Sequence, residues 1–237
     1  MPLRFAFLVL KEHPYGREML RILLERGHRP GLLVDEDSPV ANEERQKFLT
    51  RISGQPVPPS TTDLIAGLDI PRQEVNNHNS PACAEMLADF EPELVVLGGT
   101  RIIRPHVLEI PTRGTLNAHP GLLPWLRGSS SVGWAIYMDM KIGSTVHFVE
   151  PDIDTGPIIL RRELPVHRGA TYEYLVRQVI TLSGELMAET LDMIQAGEVQ
   201  VTRQDTSVGE TMRVIPPELL AQGKARLAEG RYSHFVD

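Results

Sequence analysis

Short apolar runs alternate with helical periodicity through the first half of the chain. Phe5–Leu10 (FAFLVL) is an unbroken apolar run, the pattern of a strand buried on both faces. In the GREMLRILLERG that follows, Met19, Leu20, Leu23 and Leu24 share one helical face, and Gly27 supplies a stop. Leu32–Val34 predicts the next strand and Asn42–Arg51 a second helix. The stretch 54–63 (GQPVPPSTTD) is too rich in Pro, Ser and Thr for either, and reads as a connection. Ser80 is placed to cap a helix over Ala82–Phe90, with Pro81 at its first position. Glu93–Gly99 (ELVVLGG) reads as a strand ending in a glycine pair. This β-α-β-α order predicts an α/β fold with a mostly parallel sheet flanked by helices. Such sheets bind ligands at the carboxyl ends of their strands.

After residue 140 the pattern changes. STVHFVEP and GPIILRRELPV read as neighbouring strands joined by a tight loop. Thr171–Ala196 predicts a long helix, with Leu175, Val179, Leu182, Leu186, Leu191 and Ile194 near helical spacing and Gly197 closing it. The residues beyond are polar and mixed. They suggest a catalytic domain over 1–200 and a short C-terminal extension over 201–237, not a second core. Within the extension, Pro216–Arg231 offers a helix, either for pairing two copies into a homodimer or for its own surface.

Composition narrows the function classes. The 41% hydrophobic and 23% charged content is that of an ordinary soluble protein. The net charge of −7, with no basic run, disfavours nucleic-acid binding, and tRNA is not expected as a partner. Cys83 is the only cysteine, so no intrachain disulfide and no cysteine-based metal site can form. In PACAEML it reads as buried packing. The apolar core of MPLRFAFLVLKEH is too short to span a membrane and lacks a signal-like cleavage site, so a cytoplasmic protein is expected.

Three stretches could carry chemistry. In TLNAHP, Asn117 and His119 lie two apart, so a strand points an amide and an imidazole to the same side. PDIDTGP puts Asp152 and Asp154 in a loop after a strand. LGGTRIIRP follows another strand with glycines that admit a ligand to the backbone. Each alone is also a plain strand end or turn. The carboxylates with His119 and His147 do not match a familiar metal spacing, and no metal is expected. The phosphate fingerprint GxGxxG is absent after the first strand, which reads LKEHPYG and counts against a dinucleotide oxidoreductase.

Together these stretches say more. NAHPGLLPWLRG, WAI (Trp134–Ile136) and GSTVHFVEPDIDTGPII resemble the folate-dependent formyltransferases, over roughly residues 3–200. That group includes glycinamide ribonucleotide formyltransferase, the sugar N-formyltransferases and the N-terminal domain of methionyl-tRNA formyltransferase. The resemblance implies a Rossmann-like fold, 10-formyltetrahydrofolate as formyl donor, and Asn117, His119 and Asp154 as the catalytic residues. Those residue types suit acyl transfer. An oxyanion needs aimed donors, each worth roughly 3–4 kcal/mol in comparable sites. The attacking amine must also lose a proton. By the same resemblance the folate would contact Thr100, Arg101, Ile102 and Ile103, and Glu150, Pro151, Asp152 and Ile153. His147 reads as structural or supporting.

The acceptor is a small-molecule amine on this reading, with a nucleotide-linked amino sugar or a natural-product amine preferred. His13 and Tyr15 after the first strand, and Trp125 and Arg127 beside the site, would meet it. Glycinamide ribonucleotide is the alternative. Its relatives carry a Gly- and Ser-rich loop after the first strand, and His13 with Pro14 makes a poor nest of amides for a phosphate. Formyltetrahydrofolate hydrolysis, or a folate- or nucleotide-binding module without activity, are further alternatives. The short tail argues against the methionyl-tRNA enzymes, which carry a further C-terminal domain.

Overall fold

The computed structural model describes residues 3–237. Its order is β1 (Phe5–Leu10), α1 (Pro14–Glu25), β2 (Leu32–Glu36), α2 (Pro39–Arg51), α3 (Thr61–Leu64), β3 (Arg72–Val75), α4 (Pro81–Phe90), β4 (Leu94–Leu97), α5 (Pro105–Leu108) and β5 (Thr115–His119). Then come β6 (Leu126–Gly128), α6 (Ser131–Tyr137), β7 (Gly143–Phe148), β8 (Ile158–Glu163), α7 (Tyr172–Ala196), β9 (Glu210–Met212) and α8 (Pro217–Ala228). The local signals act as the sequence predicts. Ser80 accepts a hydrogen bond from Cys83 N with Pro81 at the helix start, and Thr171 caps α7. Cys83 is fully buried. The short elements β3, β6, β9, α3 and α5 carry no sequence signal, because three or four residues are too few to show a period, and the two turns of α6 are too short to stand out.

Seven strands form one sheet in the order β3-β2-β1-β4-β5-β7-β8. Pairing is parallel from β3 through β5 and antiparallel from β5 to β7 and β7 to β8. The chain runs outward from β1 to β3 and then returns to lay β4 on the other side of β1. The switch between β1 and β4 opens a crevice at their carboxyl ends.

Alternation sorts the two faces. Leu94, Val96, Leu116, Ala118 and Val146 enter the larger core with α1 and α7. Val95 and Leu97 enter a second cluster with Cys83, Leu87, Ile103 and Val107. Asn117 and His119 alternate with Leu116 and Ala118, and His147 with Val146, so all three face away from the larger core. They lie on the side of Leu97 and Ile103.

The stretch beyond Ala196 runs back over the sheet. Thr202 bridges Ile158, β9 pairs in parallel with β6, and α8 packs on α6. It is thus a strap across one end of the sheet. No helix among the described residues is long and apolar enough to cross a membrane.

Candidate active site

β5 pairs with β7 so that Asn117 opposes His147 and His119 opposes Thr145. The turn after β5 is pinned by β7. Thr145 Oγ1 donates to Gly121 O at 2.7 Å and accepts from Leu123 N at 3.1 Å. Ser144 Oγ donates to His119 O at 3.0 Å. Gly121 is required here, since a Cβ would lie 2.7 Å from His119 Nε2.

The loop after β7 brings in the carboxylate. Asp154 Oδ2 lies 3.2 Å from His119 Nδ1, Oδ1 lies 3.6 Å from His147 Nε2, and Gly128 N donates to Oδ2 at 2.8 Å. Asn117 Nδ2 sits 3.3 Å from His147 Nε2. Four side chains from β5, β7 and the loop therefore meet at one point. His147 Nδ1 donates to Phe148 O at 2.7 Å, which leaves Nε2 to accept from the Asn117 amide. That bond uses one of two amide protons and fixes the plane of the other. His147, read from sequence as a support, is the residue that orients Asn117.

His119 is 3% exposed. Its Nε2 lies 2.8 Å from Leu126 O and 3.1 Å from Ser131 Oγ. A carbonyl only accepts, so Nε2 carries the proton and Nδ1 presents a lone pair beside Asp154 in the neutral ring. Burial holds the imidazole below its ordinary range, and Asp154 pulls the other way. Burial alone would raise the Asp154 carboxyl. The positive charge available on His119 and His147, with the Gly128 N–H, overrules it and holds Asp154 far below the usual carboxylate range. The pair is a carboxylate fixed in its charged state beside a base that gains a hydrogen bond when it takes a proton.

Two loops flank this point. In the first, Arg101 turns back to the buried Glu36, donating through Nε at 2.8 Å and also through Nη2. Asn79 Nδ2 donates to Ile102 O at 2.9 Å, and Arg104 N donates to Asn79 Oδ1 at 2.7 Å. So braced, the loop buries Ile103 at 5%, half-exposes Thr100 and leaves Ile102 61% exposed. In the second loop, Val149 packs with Ile103 and Val107, Glu150, Pro151 and Asp152 are exposed, and Ile153 is 44% exposed. A cavity of about 540 Å³ opens beside this second loop. Glu150, Asp152 and Ile153 line it with Arg127 and the strap residues Arg203 and Gln204.

The acceptor residues fare differently from expectation. His13 and Tyr15 are turned inward. His13 caps α1 by accepting from Tyr15 N and packs on Phe48, while Tyr15 donates its hydroxyl to Ala118 O beneath the Asn117–His119 strand. Apolar ring surface outweighed the polar atoms at both positions. Arg127 is 7% exposed, and its guanidinium donates to Pro124 O, Val208 O, Gly209 O and Thr211 Oγ1. It latches the strap, although its side chain also borders the cavity. Trp125 is 40% exposed, with the Arg161 guanidinium 4.6 Å from its ring centre, and remains open to a ligand. Gln204 escaped the sequence reading, since nothing local marks a polar tail residue as reaching the Asp154 loop. No group of three metal-ligating side chains occurs among the described residues.

Comparison with known proteins places these features. The family described as "Formyl transferase" matches residues 4–191. Methionyl-tRNA formyltransferase of Pelobacter propionicus is 30% identical over 191 residues, covering 80% of this chain and 57% of that protein. The chain thus spans little more than half the length of this curated relative. Among solved structures, glycinamide ribonucleotide transformylase 1 from Symbiobacterium toebii aligns with a TM-score of 0.62 at 23% identity, over 86% of this chain and 95% of that one. A sugar N-formyltransferase from a Shewanella species aligns with a TM-score of 0.63 at 17% identity, over 90% and 77%. These last two share the fold, and the family match extends over most of the chain. The Rossmann-like architecture around Asn117, His119 and Asp154 is therefore that of an enzyme family: this chain belongs to the formyl transferases.

Proposed function

We propose that the protein transfers a formyl group from 10-formyltetrahydrofolate to the primary amine of an acceptor. The observation that carries this reading is the convergence of Asn117, His119 and Asp154, with His119 Nδ1 3.2 Å from the carboxylate. The donor supplies an electrophilic formyl carbon, and amine addition there passes through a tetrahedral intermediate. The Asn117 amide, its plane fixed by His147, offers an N–H to the developing oxyanion. The proton leaving the amine passes to the His119–Asp154 pair, directly or through one water. The imidazolium formed is stabilised by a carboxylate that stays charged, and its proton is returned to the departing folate nitrogen.

The folate would lie along the two flanking loops. The residues suit it: Ile102 and Ile153 present exposed aliphatic surface, one from each loop, above an apolar cluster shared by Ile103 and Val149. Thr100, Arg101, Glu150, Pro151 and Asp152 would contribute chiefly backbone groups.

For the acceptor, the relatives weigh more toward glycinamide ribonucleotide than toward the amino sugar preferred from sequence. A transformylase of that name matches nearly end to end. Against it stands the loop after β1, where His13 already takes the Tyr15 N–H and Glu12 places a carboxylate that accepts from Thr61 N. A phosphate finds little welcome there. The curated relative keeps methionyl-tRNA in the set.

The test incubates the protein with 10-formyltetrahydrofolate and each of three acceptors: glycinamide ribonucleotide, nucleotide-linked amino sugars and methionyl-tRNA. Tetrahydrofolate release that depends on one acceptor is the expected result. No release with any acceptor, together with no folate binding, overturns the reading. Release without an acceptor replaces transfer by hydrolysis.

A further inference from the structure

The loop that carries Asp154 is held from outside the family-matched region. That region ends at residue 191, whereas Gln204 Nε2 donates to Asp154 O at 2.9 Å and to Gly156 O at 2.6 Å. Both partners are carbonyls, so the nitrogen, not the oxygen, of the amide must face them. We propose that Gln204 is a positioning residue for formyl transfer, setting the Asp154 loop so that its carboxylate meets His119. The inference rests on the reaction proposed above for its catalytic meaning, but its geometry does not.

Three observations support it. Asp154 has φ of 54°, in the left-handed region, which a side-chain-bearing residue adopts only when its surroundings impose it. Gln204 imposes it by gripping the carbonyls of Asp154 and Gly156, one on the strained residue and one just beyond. Gly156 gives the loop no slack on its other side, since a Cβ there would collide with Phe148 O. Finally, Gln204 Oε1 is buried and has no hydrogen-bond partner among the described residues. An orphaned acceptor is a cost that a purely structural contact would shed by using another side chain. Here it is tolerated because a neutral double donor is needed opposite two carbonyls. A lysine would add a positive charge next to His119 and His147, and a carboxylate would repel the carbonyls.

The rest of the strap makes the grip possible. The Thr202–Ile158 bridge precedes Gln204 and the β6–β9 pair follows it, so the residue is fixed on both sides. Gly128, at the end of β6, is also the residue whose N–H meets Asp154 Oδ2. The strap therefore bears on the Asp154 loop twice: directly through Gln204, and through β9 on β6, whose Gly128 N–H meets the carboxylate.

The deciding measurement is an NMR titration of the His119 imidazole, assigned with His119→Gln, in the wild type, Gln204→Leu, Gln204→Glu, Asp154→Asn and Asp205→Ala. Asp154 and His147 are the titratable groups that face His119. Asp154→Asn removes the carboxylate and lowers the His119 pKa. Gln204→Leu lowers it in the same direction, because the carboxylate drifts. Asp205→Ala loosens the same strap by deleting the acceptor of Ser207 N at 3.0 Å, and leaves the His119 titration where it was. Turnover of Gln204→Leu falls about tenfold to a hundredfold in kcat, with donor KM nearly unchanged. Gln204→Glu regains rate relative to the wild type as pH falls, since a protonated carboxyl can donate. A His119 titration unmoved in folded Gln204→Leu overturns the proposal whatever its turnover. If that variant does not fold, the same titration on Gln204→Glu decides. Absence of turnover in every protein, wild type included, tells against formyl transfer and leaves the titration to judge Gln204.

Discussion

Glu36 and Asp154 are two carboxylates at the edge of this sheet that are held differently. Glu36, at the end of β2, is fully buried and accepts from Arg101, Ser38 Oγ at 2.9 Å and His78 N at 3.0 Å. Asp154 faces His119, His147 and the Gly128 N–H. Both have several donors. The difference lies in what the partners can give up. A guanidinium keeps its proton at any working pH, and the His78 imidazole, 3.4 Å from Glu36, is fully buried and bonded to Val34 O, so the Glu36 cluster is a clamp on the 100–104 loop. An imidazole exchanges its proton near neutrality, so the Asp154 cluster can move one. Burial and hydrogen bonding alone do not separate a brace from a candidate reaction centre; what the charged partner can exchange, and with what, does.

Substitutions can break that contrast. Asp154→Asn should lower turnover about a hundredfold to ten-thousandfold and should also lower stability at neutral pH, since a carboxylate held below its ordinary range stabilises the fold in its charged state. Activity assays beside calorimetry read both quantities, and near-normal turnover would end the assignment. Asn117→Ala should cost about a hundredfold to a thousandfold in kcat, with donor KM nearly constant. An equal loss in binding would make Asn117 a contact for the ground state instead. Glu36→Gln should act on stability alone, lowering it by about 2–3 kcal/mol with kcat nearly unchanged, with Arg101 partly exposed and so partly compensated by water. Denaturant titration measures it, and a loss below about 0.5 kcal/mol would show the pair to be idle.

The smallest effect on turnover belongs to a histidine that takes no part in the site. His13 is lowered from 6.5 to about 3, first by burial and then by Arg51 and Arg45. The unfolded chain takes this proton near pH 6.5, and the folded one only near pH 3. His13 therefore contributes stability that is complete above pH 6.5 and is lost as pH falls toward 3. His13→Asn keeps a capping side chain and should flatten the stability curve across that window. An unchanged slope would show that the histidine is not the source.

Much of this was legible before any coordinates. The frame was readable where one segment carries its own signal, as in the apolar run of β1, the Ser80–Pro81 start of α4 and the spacing along α7. Asn117 and His119 were readable as a pair because a strand's period of two puts them on one side. Their link to Asp154 came from resemblance, as no local period connects residues 35 apart. His147 was undervalued because its role depends on which residue of β5 lies opposite it. Arg127 reads as reaching outward because three of its four acceptors lie on a tail whose return path no local pattern shows. Long-range pairing decides what a polar side chain does, and it leaves the faintest trace in sequence.

The strap also sets a timetable. A chain made from its N-terminus exposes every strand of the large sheet, and α7, before Gln204 leaves the ribosome. The sheet and α7 can gather their core before the residue that holds the Asp154 carbonyl emerges. Gathering the core and gripping the Asp154 loop are therefore separate events in time.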